Sequence, residues 1–256
     1  MKSITVIVPA LNEEQHIMKA LDNSIEALNK ANLKWEIIVI NDGSTDRTKE
    51  IVEGVITSNT LVRMVNHDTP QGLGKSFWDG VDHSRNDAVV VIPGDNENDP
   101  WEIIRYYKLL EHVDMIIPFV FNKEVRSVFR NTLSWVYRFI VNSTFKINLN
   151  YTNGTVLYRK AILKELEYRS SSFFFQTDIL IRLIKRGYLF AEVPYRLDIR
   201  QGGTSKAVAF PSLLQVIRGY LRLVRDRYLR EKKISIEEDT ITSERYKPVG
   251  AEKSTD

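Results

Sequence analysis

Four short polar segments in the first hundred residues carry the residue types needed to hold a phosphorylated ligand. Asp42 lies in Asn41-Asp42-Gly43-Ser44-Thr45-Asp46, directly after an apolar run, so its carboxylate is displayed where a ribose hydroxyl or a base N–H could be held. Ser44 and Asp46 are also the residue types that cap a following helix, and capping is the other use of Asp46. Asn12 and Glu13, after Pro9 and Ala10, stand at a second such position, as ligand contacts or only as the start of the next helix. Gly72-Leu73-Gly74-Lys75 sets backbone N–H groups and one ammonium at a helix amino terminus, a seat for phosphate oxygens; two glycines there also make an ordinary turn. In Pro93-Gly94-Asp95-Asn96-Glu97, alternate carboxylates can turn oxygen ligands toward one hard cation, so Asp95 and Glu97 are the candidate metal ligands. A solvated acidic loop is the alternative, since Asn98 and Asp99 follow.

Further along, Asp178 follows the run Phe173-Phe174-Phe175-Gln176-Thr177 at a helix start. Apolar neighbours suit it to general-base work, whereas a carboxylate in a first helical turn is also favourable to the helix dipole. Arg200 and Gly202-Gly203-Thr204-Ser205-Lys206 supply a flexible turn, hydroxyls and cations, which either close over a diphosphate or form a surface loop. Arg126 and Arg130 alternate with Val125, Phe129, Leu133, Trp135, Val136 and Phe139, and the stretch from Leu213 to Arg230 spaces five arginines among leucines and tyrosines. Both patterns fit a membrane surface with a lipid phosphate clasped by arginine; both also fit helices that bury an apolar face and give their arginines to water.

The elements that must position these segments read as alternating strands and helices. Apolar runs at Ile4–Val8, Glu36–Ile40, Leu61–Val65 and Ala88–Ile92 alternate with helical patterns near Glu14–Ala31, Asp46–Thr57 and Lys75–His83. Continuous Val/Ile strands between helices predict an α/β fold, a mostly parallel sheet covered on both faces, with ligands beyond the carboxyl ends of the strands. The polar segments fall at those ends. The second half predicts an amphipathic helical stretch over Arg126–Phe145, a strand at Thr155–Tyr158, a helix near Thr177–Arg186, a late helix from Ser212 to Lys232, and a mobile polar tail from Ile236 to Asp256.

The chain has 256 residues, 43% hydrophobic and 27% charged, which suits one sizeable domain with a core that needs no covalent staple. It has no cysteine, which excludes disulfides and thiolate metal sites and agrees with a reducing compartment. A net charge of +3 permits anionic partners but is no nucleic-acid footprint. The apolar opening, ended by Pro9, is too brief for a signal segment, and Arg138 interrupts the most apolar stretch, so no spanning helix is expected.

In this order the segments resemble the family 2 glycosyltransferases of the GT-A fold, in particular the polyprenyl-phosphate branch that includes dolichyl-phosphate mannose synthase. The matching residues are Val8 to Glu14, Asn41 to Thr48, Gly72 to Lys75 with Gly80, Asp95, Tyr151-Thr152-Asn153-Gly154, Gln176-Thr177-Asp178, Glu192-Val193-Pro194, and Arg200 to Lys206. The resemblance implies a catalytic domain over residues 1–210, with a nucleotide-sugar half (1–100) and an acceptor half (101–210), then a basic amphipathic helix (211–235) and the tail (236–256). It implies an inverting transferase using a GDP- or UDP-linked sugar and Mg2+ or Mn2+, peripheral on the cytoplasmic face of a membrane and acting on a polyprenyl phosphate. A soluble glycan or small-molecule acceptor, or a non-catalytic nucleotide-sugar binder, is the alternative; an integral-membrane partner would supply the missing anchor. By the same resemblance Pro9, Ala10, Asn12, Glu13, Asp42, Gly72, Lys75 and Gly94 contact the donor, Asp95 with Glu97 the metal, and Arg126, Arg130, Gln176, Ser205 and Lys206 the acceptor or phosphate. Asp95, Asp178 and Arg200 are the expected catalytic residues. One departure stands out: Pro93-Gly94-Asp95 replaces the family's usual Asp-x-Asp, so only the second carboxylate remains.

Overall fold

In the computed structural model the described residues are 3–125, 127–164, 166–197, 210–229 and 236–246. The chain alternates β1 (Ser3–Ala10), α1 (Ile17–Lys30), β2 (Lys34–Asn41), α2 (Thr48–Ser58), β3 (Val62–Asn66), α3 (Leu73–His83) and β4 (Ala88–Val91). A short α4 (Trp101–Ile104) leads to β5 (Met115–Val120), then α5 (Val128–Phe145), β6 (Leu157–Arg159), α6 (Lys160–Lys164), α7 (Phe175–Arg186), β7 (Phe190–Tyr195), α8 (Phe210–Leu229) and α9 (Ile241–Tyr246).

The strands form one sheet in the order β3-β2-β1-β4-β6-β5-β7. Pairing is parallel from β3 through β4 and again between β5 and β7, while β6 runs antiparallel to both its neighbours. The expected mostly parallel sheet is therefore present with one reversed strand in its middle. The central strands are apolar on both faces because both faces are covered. Ile4, Val6 and Val8 meet α1 and α2 through Ile17, Leu21, Leu28 and Val52, whereas Ile7 and Ile38 meet α3 and α7 through Phe77, Trp78, Ile179 and Leu183. A third cluster joins Val141 and Phe145 at the end of α5 to Ile181 on α7 and Leu223 on α8.

Two expectations change. The strand placed at Thr155–Tyr158 sits slightly later, as β6, with Thr155 and Val156 leading into it. The stretch expected to begin a mobile tail is packed as far as α9: Asp114, fully buried, accepts from the Ile241 N–H at 2.8 Å, the Thr242 N–H at 3.0 Å and the Thr242 hydroxyl. The Thr242 hydroxyl also accepts from the Leu189 N–H at 2.8 Å. A fully buried carboxylate needs such donors, and a polar tail rich in N–H and hydroxyl groups supplies them.

Candidate functional site

β1, β2 and β4 end together, and chain direction decides what meets there. Connections from β1 run outward to β2 and β3 on one side, while β4 lies on the other side of β1, so a crevice opens between the ends of β1 and β4. Gly94 donates to the Pro9 carbonyl at 3.0 Å and Asp42 to the Ala10 carbonyl at 2.9 Å, which locks the three strand ends together. A side chain at position 94 would put its Cβ 2.8 Å from the tip of the Ile17 side chain, which would have to move aside. Pro9, Ala10, Asp42 and Gly94 are thus brought together as expected, although Pro9 and Ala10 contribute backbone rather than side chain.

The loop after β1 is tied to the turn after β2. Asn12, in the left-handed region at φ 56°, accepts from the Thr45 N–H at 2.8 Å and donates its own N–H to Ser44 at 3.0 Å. The Glu13 N–H donates to the Thr48 hydroxyl at 2.8 Å and the Glu14 N–H to Asp46 at 3.1 Å. Asp46 also accepts from the Thr48 N–H at 3.0 Å; these donors outweigh the effect of burial and hold its carboxyl below the ordinary value. Asp46 therefore caps α2 and also anchors the Glu14 N–H.

Asp42 is spent differently from the simplest expectation. Its Oδ1 accepts from the Gln71 N–H at 2.7 Å and its Oδ2 from the Gly72 N–H at 2.9 Å, so it shapes the loop that opens α3. His67, which the sequence reading passed over, places Nδ1 2.7 Å from Asp42 and Nε2 2.8 Å from Asp79. Lys75 pairs with Asp79 one turn along α3 and keeps its side chain half exposed. Burial works against ionising Asp79, but the hydrogen bonds from Lys75 and His67 override it and lower its pKa. The i, i+4 spacing of Lys75 and Asp79 was a visible signal for this pair; nothing in sequence linked it to His67.

Asp95 is half-buried just past β4, and one of its oxygens accepts the Glu97 N–H at 3.1 Å. Asn96 takes φ 54° and is held by Asn23 at 2.9 Å, fixing the loop. Among the described residues no group of three or more His, Cys, Asp or Glu side chains is placed to hold a metal ion. A lone carboxylate still suits Mg2+ or Mn2+ if the other ligands are diphosphate oxygens and water, the usual pattern for ions shared with a phosphorylated substrate. The residues thus fit a shared cation rather than an all-protein cage.

On the acceptor side, Tyr137 of α5 shares a hydrogen bond of 2.8 Å with Thr177 of α7, which also bonds Asn153 at 3.0 Å. Gln176 turns inward, donating to the Tyr158 hydroxyl at 2.7 Å, so it supports the sheet instead of facing an open acceptor site. Asp178, expected there as a base, is buried and bonded to Arg182 at 2.9 Å; Arg182 reaches on to Asp226 of α8, also at 2.9 Å. Burial raises the Asp178 pKa, and Arg182 only partly offsets this. Arg130 lies half-buried near the start of α5, whose first turn is capped by Ser127 accepting from the Arg130 N–H at 3.3 Å. Arg126, Arg200, Ser205 and Lys206 lie outside the described residues. A cavity of about 340 Å³ opens beside α5, lined by Trp135, Arg138, Phe139, Asn142, Asn148, Leu149 and Asn150, which sequence reading also missed.

The sequence profile of Glycosyl transferase family 2 matches residues 5–167, which takes in every donor-side loop. The chain belongs to this family. It is 25% identical over 168 residues to the dodecaprenyl-phosphate galacturonate synthase of Rhizobium johnstonii, covering 64% of this chain and 50% of that protein. It is 34% identical over 96 residues to a dolichyl-phosphate beta-glucosyltransferase of Trichomonas vaginalis, covering 36% and 28%. The chain thus spans half or less of the length of these relatives. The solved glucosyl-3-phosphoglycerate synthase of Mycobacterium tuberculosis, in complex with Mn2+, UDP and glucosyl-3-phosphoglycerate, superposes with a TM-score of 0.64 at 22% identity, over 87% of this chain and 80% of that one. A second mycobacterial structure gives 0.68 at 22% identity, over 87% of this chain and 75% of that one. The family 2 chain therefore has the GT-A fold.

Proposed function

We propose that this transferase moves a sugar from a nucleoside diphosphate to a polyprenyl phosphate at a membrane surface, with inversion at the anomeric carbon. The observation that carries the acceptor assignment is α5. Along it Val128, Phe129, Leu133, Trp135, Val136, Phe139 and Ile140 are exposed, and only Val141 and Phe145 near its end are buried. An apolar patch of that extent on a helix that also carries arginines fits an interfacial helix lying among lipid head groups. Leu214, Ile217 and Leu221 extend the exposed apolar surface onto α8, where Arg218, Arg222 and Arg225 flank it. No helix among the described residues is long and apolar enough to cross a membrane. The activities of the dodecaprenyl- and dolichyl-phosphate relatives support this acceptor, and a cysteine-free sequence agrees with the cytoplasmic face.

In the reaction an acceptor phosphate oxygen forms a bond to the anomeric carbon as the bond from that carbon to the nucleoside diphosphate breaks, and the leaving diphosphate keeps the electron pair. A phosphate acceptor arrives ionised and needs no base, which agrees with Asp178 being tied to Arg182. The strand-end crevice orients the nucleoside, and Lys75 stands at the head of α3 to meet phosphate. Asp95, with Glu97 beside it, would hold Mg2+ or Mn2+, which neutralises charge on the departing diphosphate. Arg126, Arg130 and, from the segment 200–206, Arg200, Ser205 and Lys206 are proposed phosphate contacts.

Flotation with anionic liposomes, followed by turnover of a panel of UDP- and GDP-sugars on polyprenyl phosphate, tests the assignment. Binding that disappears in Phe129→Glu/Trp135→Glu, with lipid-linked product formed, is expected. Failure to float, together with turnover on a soluble hydroxyl acceptor, would sink it. A soluble phosphorylated acceptor is favoured by one observation, the cavity holding Arg138 and asparagine amides, and that outcome would appear as transfer without lipid.

A further inference from the structure

Both ring nitrogens of His67 face carboxylate oxygens, Nδ1 against Asp42 at 2.7 Å and Nε2 against Asp79 at 2.8 Å. A carboxylate only accepts, and a neutral imidazole has one N–H, so a neutral ring would set a lone pair against a carboxylate oxygen at one of these contacts. Only the imidazolium satisfies both. The charges also close: Asp42 and Asp79 bring two negatives, Lys75 on Asp79 brings one positive, and a charged His67 cancels the remainder. The His67 side chain is 10% exposed and that of Asp42 7%, so an uncompensated charge here would be poorly solvated. The ionisable groups facing the ring are Asp42 from the end of β2 and Asp79 from α3, with Lys75 behind Asp79 and Asp68 next in the chain.

The two carboxylates belong to different parts of the donor site. Asp42 holds the Gln71 and Gly72 N–H groups that open α3, and Asp79 holds Lys75. His67 itself is pinned by its backbone N–H donating to the Asn41 carbonyl at 2.9 Å. We propose that His67 is a positioning residue that acts as a doubly protonated clasp, joining the nucleoside-side turn after β2 to the phosphate-side helix α3, so that donor binding weakens when either of its two hydrogen bonds is lost. The inference rests on the donor-site reading above.

Two measurements decide it. In imidazole nitrogen NMR of labelled protein, the His67 signals, assigned by their loss in His67→Gln, should show both nitrogens protonated at pH 7; a single neutral tautomer at that pH overturns the clasp. UDP and GDP binding in the presence of Mn2+ is then measured by calorimetry in the wild type and in variants. His67→Gln, whose amide can serve only one carboxylate, should bind about tenfold or more weakly, in the range seen when supporting hydrogen bonds are removed. Asp79→Asn keeps the shape of the cluster and should give the same loss, with its melting temperature reporting that the fold persists. Unchanged affinity in both variants overturns the positioning role while leaving the donor site standing. No binding of either nucleotide by the wild type overturns the donor-site reading, and the positioning role with it.

Discussion

Replacing Arg182 by methionine should unmask a buried charge, and the size of the effect can be worked from the structure. Arg182 bonds Asp178 and Asp226 at 2.9 Å each, joining α7 to α8, and the Asp178 side chain is 2% exposed. Methionine keeps much of the stem volume but leaves Asp178 buried without its hydrogen-bonded cation, with only the more distant charge of Arg222 acting on it, while Asp226 keeps Arg225 at 3.3 Å. Breaking a buried pair from one side costs about 3–5 kcal/mol. Protonation limits that cost: taking a carboxyl with an unfolded pKa near 4 to its neutral form at pH 7 costs roughly 3 × 1.4, or about 4 kcal/mol. At pH 5 the same route costs only about 1.4 kcal/mol. The direction follows from proton counting. Burial already raises the Asp178 pKa and removing Arg182 raises it further, so the folded variant binds more protons than the unfolded chain between pH 4 and that raised value, and stability falls as pH rises through this window. Urea unfolding of both proteins at pH 7 and pH 5 is the assay. The expected deficit is about 3–4 kcal/mol at pH 7, shrinking to about 1–2 kcal/mol at pH 5. Adding Asp178→Leu to Arg182→Met should recover a large part of the loss at pH 7. A deficit below about 1 kcal/mol at pH 7, or one equal at both pH values, refutes a buried, Arg182-dependent Asp178.

Other perturbations have equally definite outcomes. Asp95→Asn keeps an acceptor for the Glu97 N–H, so its urea midpoint should match the wild type, while kcat/KM falls about 100-fold or more and the Mn2+-dependent nucleotide thermal shift disappears; retention of more than a tenth of the activity would remove Asp95 from the reaction. Gly43→Ala sets a Cβ at φ +76°, 2.8 Å from backbone atoms of Thr69 and Pro70, and should cost about 2–3 kcal/mol in stability while weakening nucleotide binding, as calorimetry would show. Thr242→Val removes a donor from buried Asp114 and an acceptor from the Leu189 N–H; thermal unfolding should register a loss of about 1–3 kcal/mol, and an unchanged melting curve would mean that the α9 contact carries no stability.

The strand-helix alternation of the first hundred residues was legible because β1, β2 and β4 carry Val/Ile runs and the helices between them have an apolar face, the patterns a sequence displays best. The second half was less so for physical reasons. β6 has only three residues, too few for any period to show, and its direction is set by its neighbours. β7 contains Glu192 and Pro194 and sits at the sheet edge, where proline is tolerated. The tail was read from polarity, which is a sound guide only when no buried partner exists; fully buried Asp114 is such a partner, contributed from more than a hundred residues earlier in the chain. At the site, the loops were legible and the partners of their carboxylates were not. Asp42 was picked out for ligand binding and Asp178 for general-base work among apolar neighbours; both have oxygens bonded to protein donors, because a carboxylate near backbone N–H groups or a guanidinium takes those partners.

That commitment bears on how a lone carboxylate after β4 can serve where two are customary. The crevice between β1 and β4 is already rigid: Gly94 is bonded to Pro9, Asn12 to the β2 turn, and Asn96 to Asn23 on α1. On the proposed donor reading a cation there would not have to organise the loop, since protein hydrogen bonds have done so, and Asp95, with Glu97 beside it, would hold it. With one carboxylate fewer directly after β4 than Asp-x-Asp supplies, such a site would leave more of the cation's charge for the leaving group, at the cost of weaker binding when no nucleotide is present. Metal and donor should therefore bind each other's complex far better than the bare protein, and by reciprocity each raises the affinity of the other by the same factor.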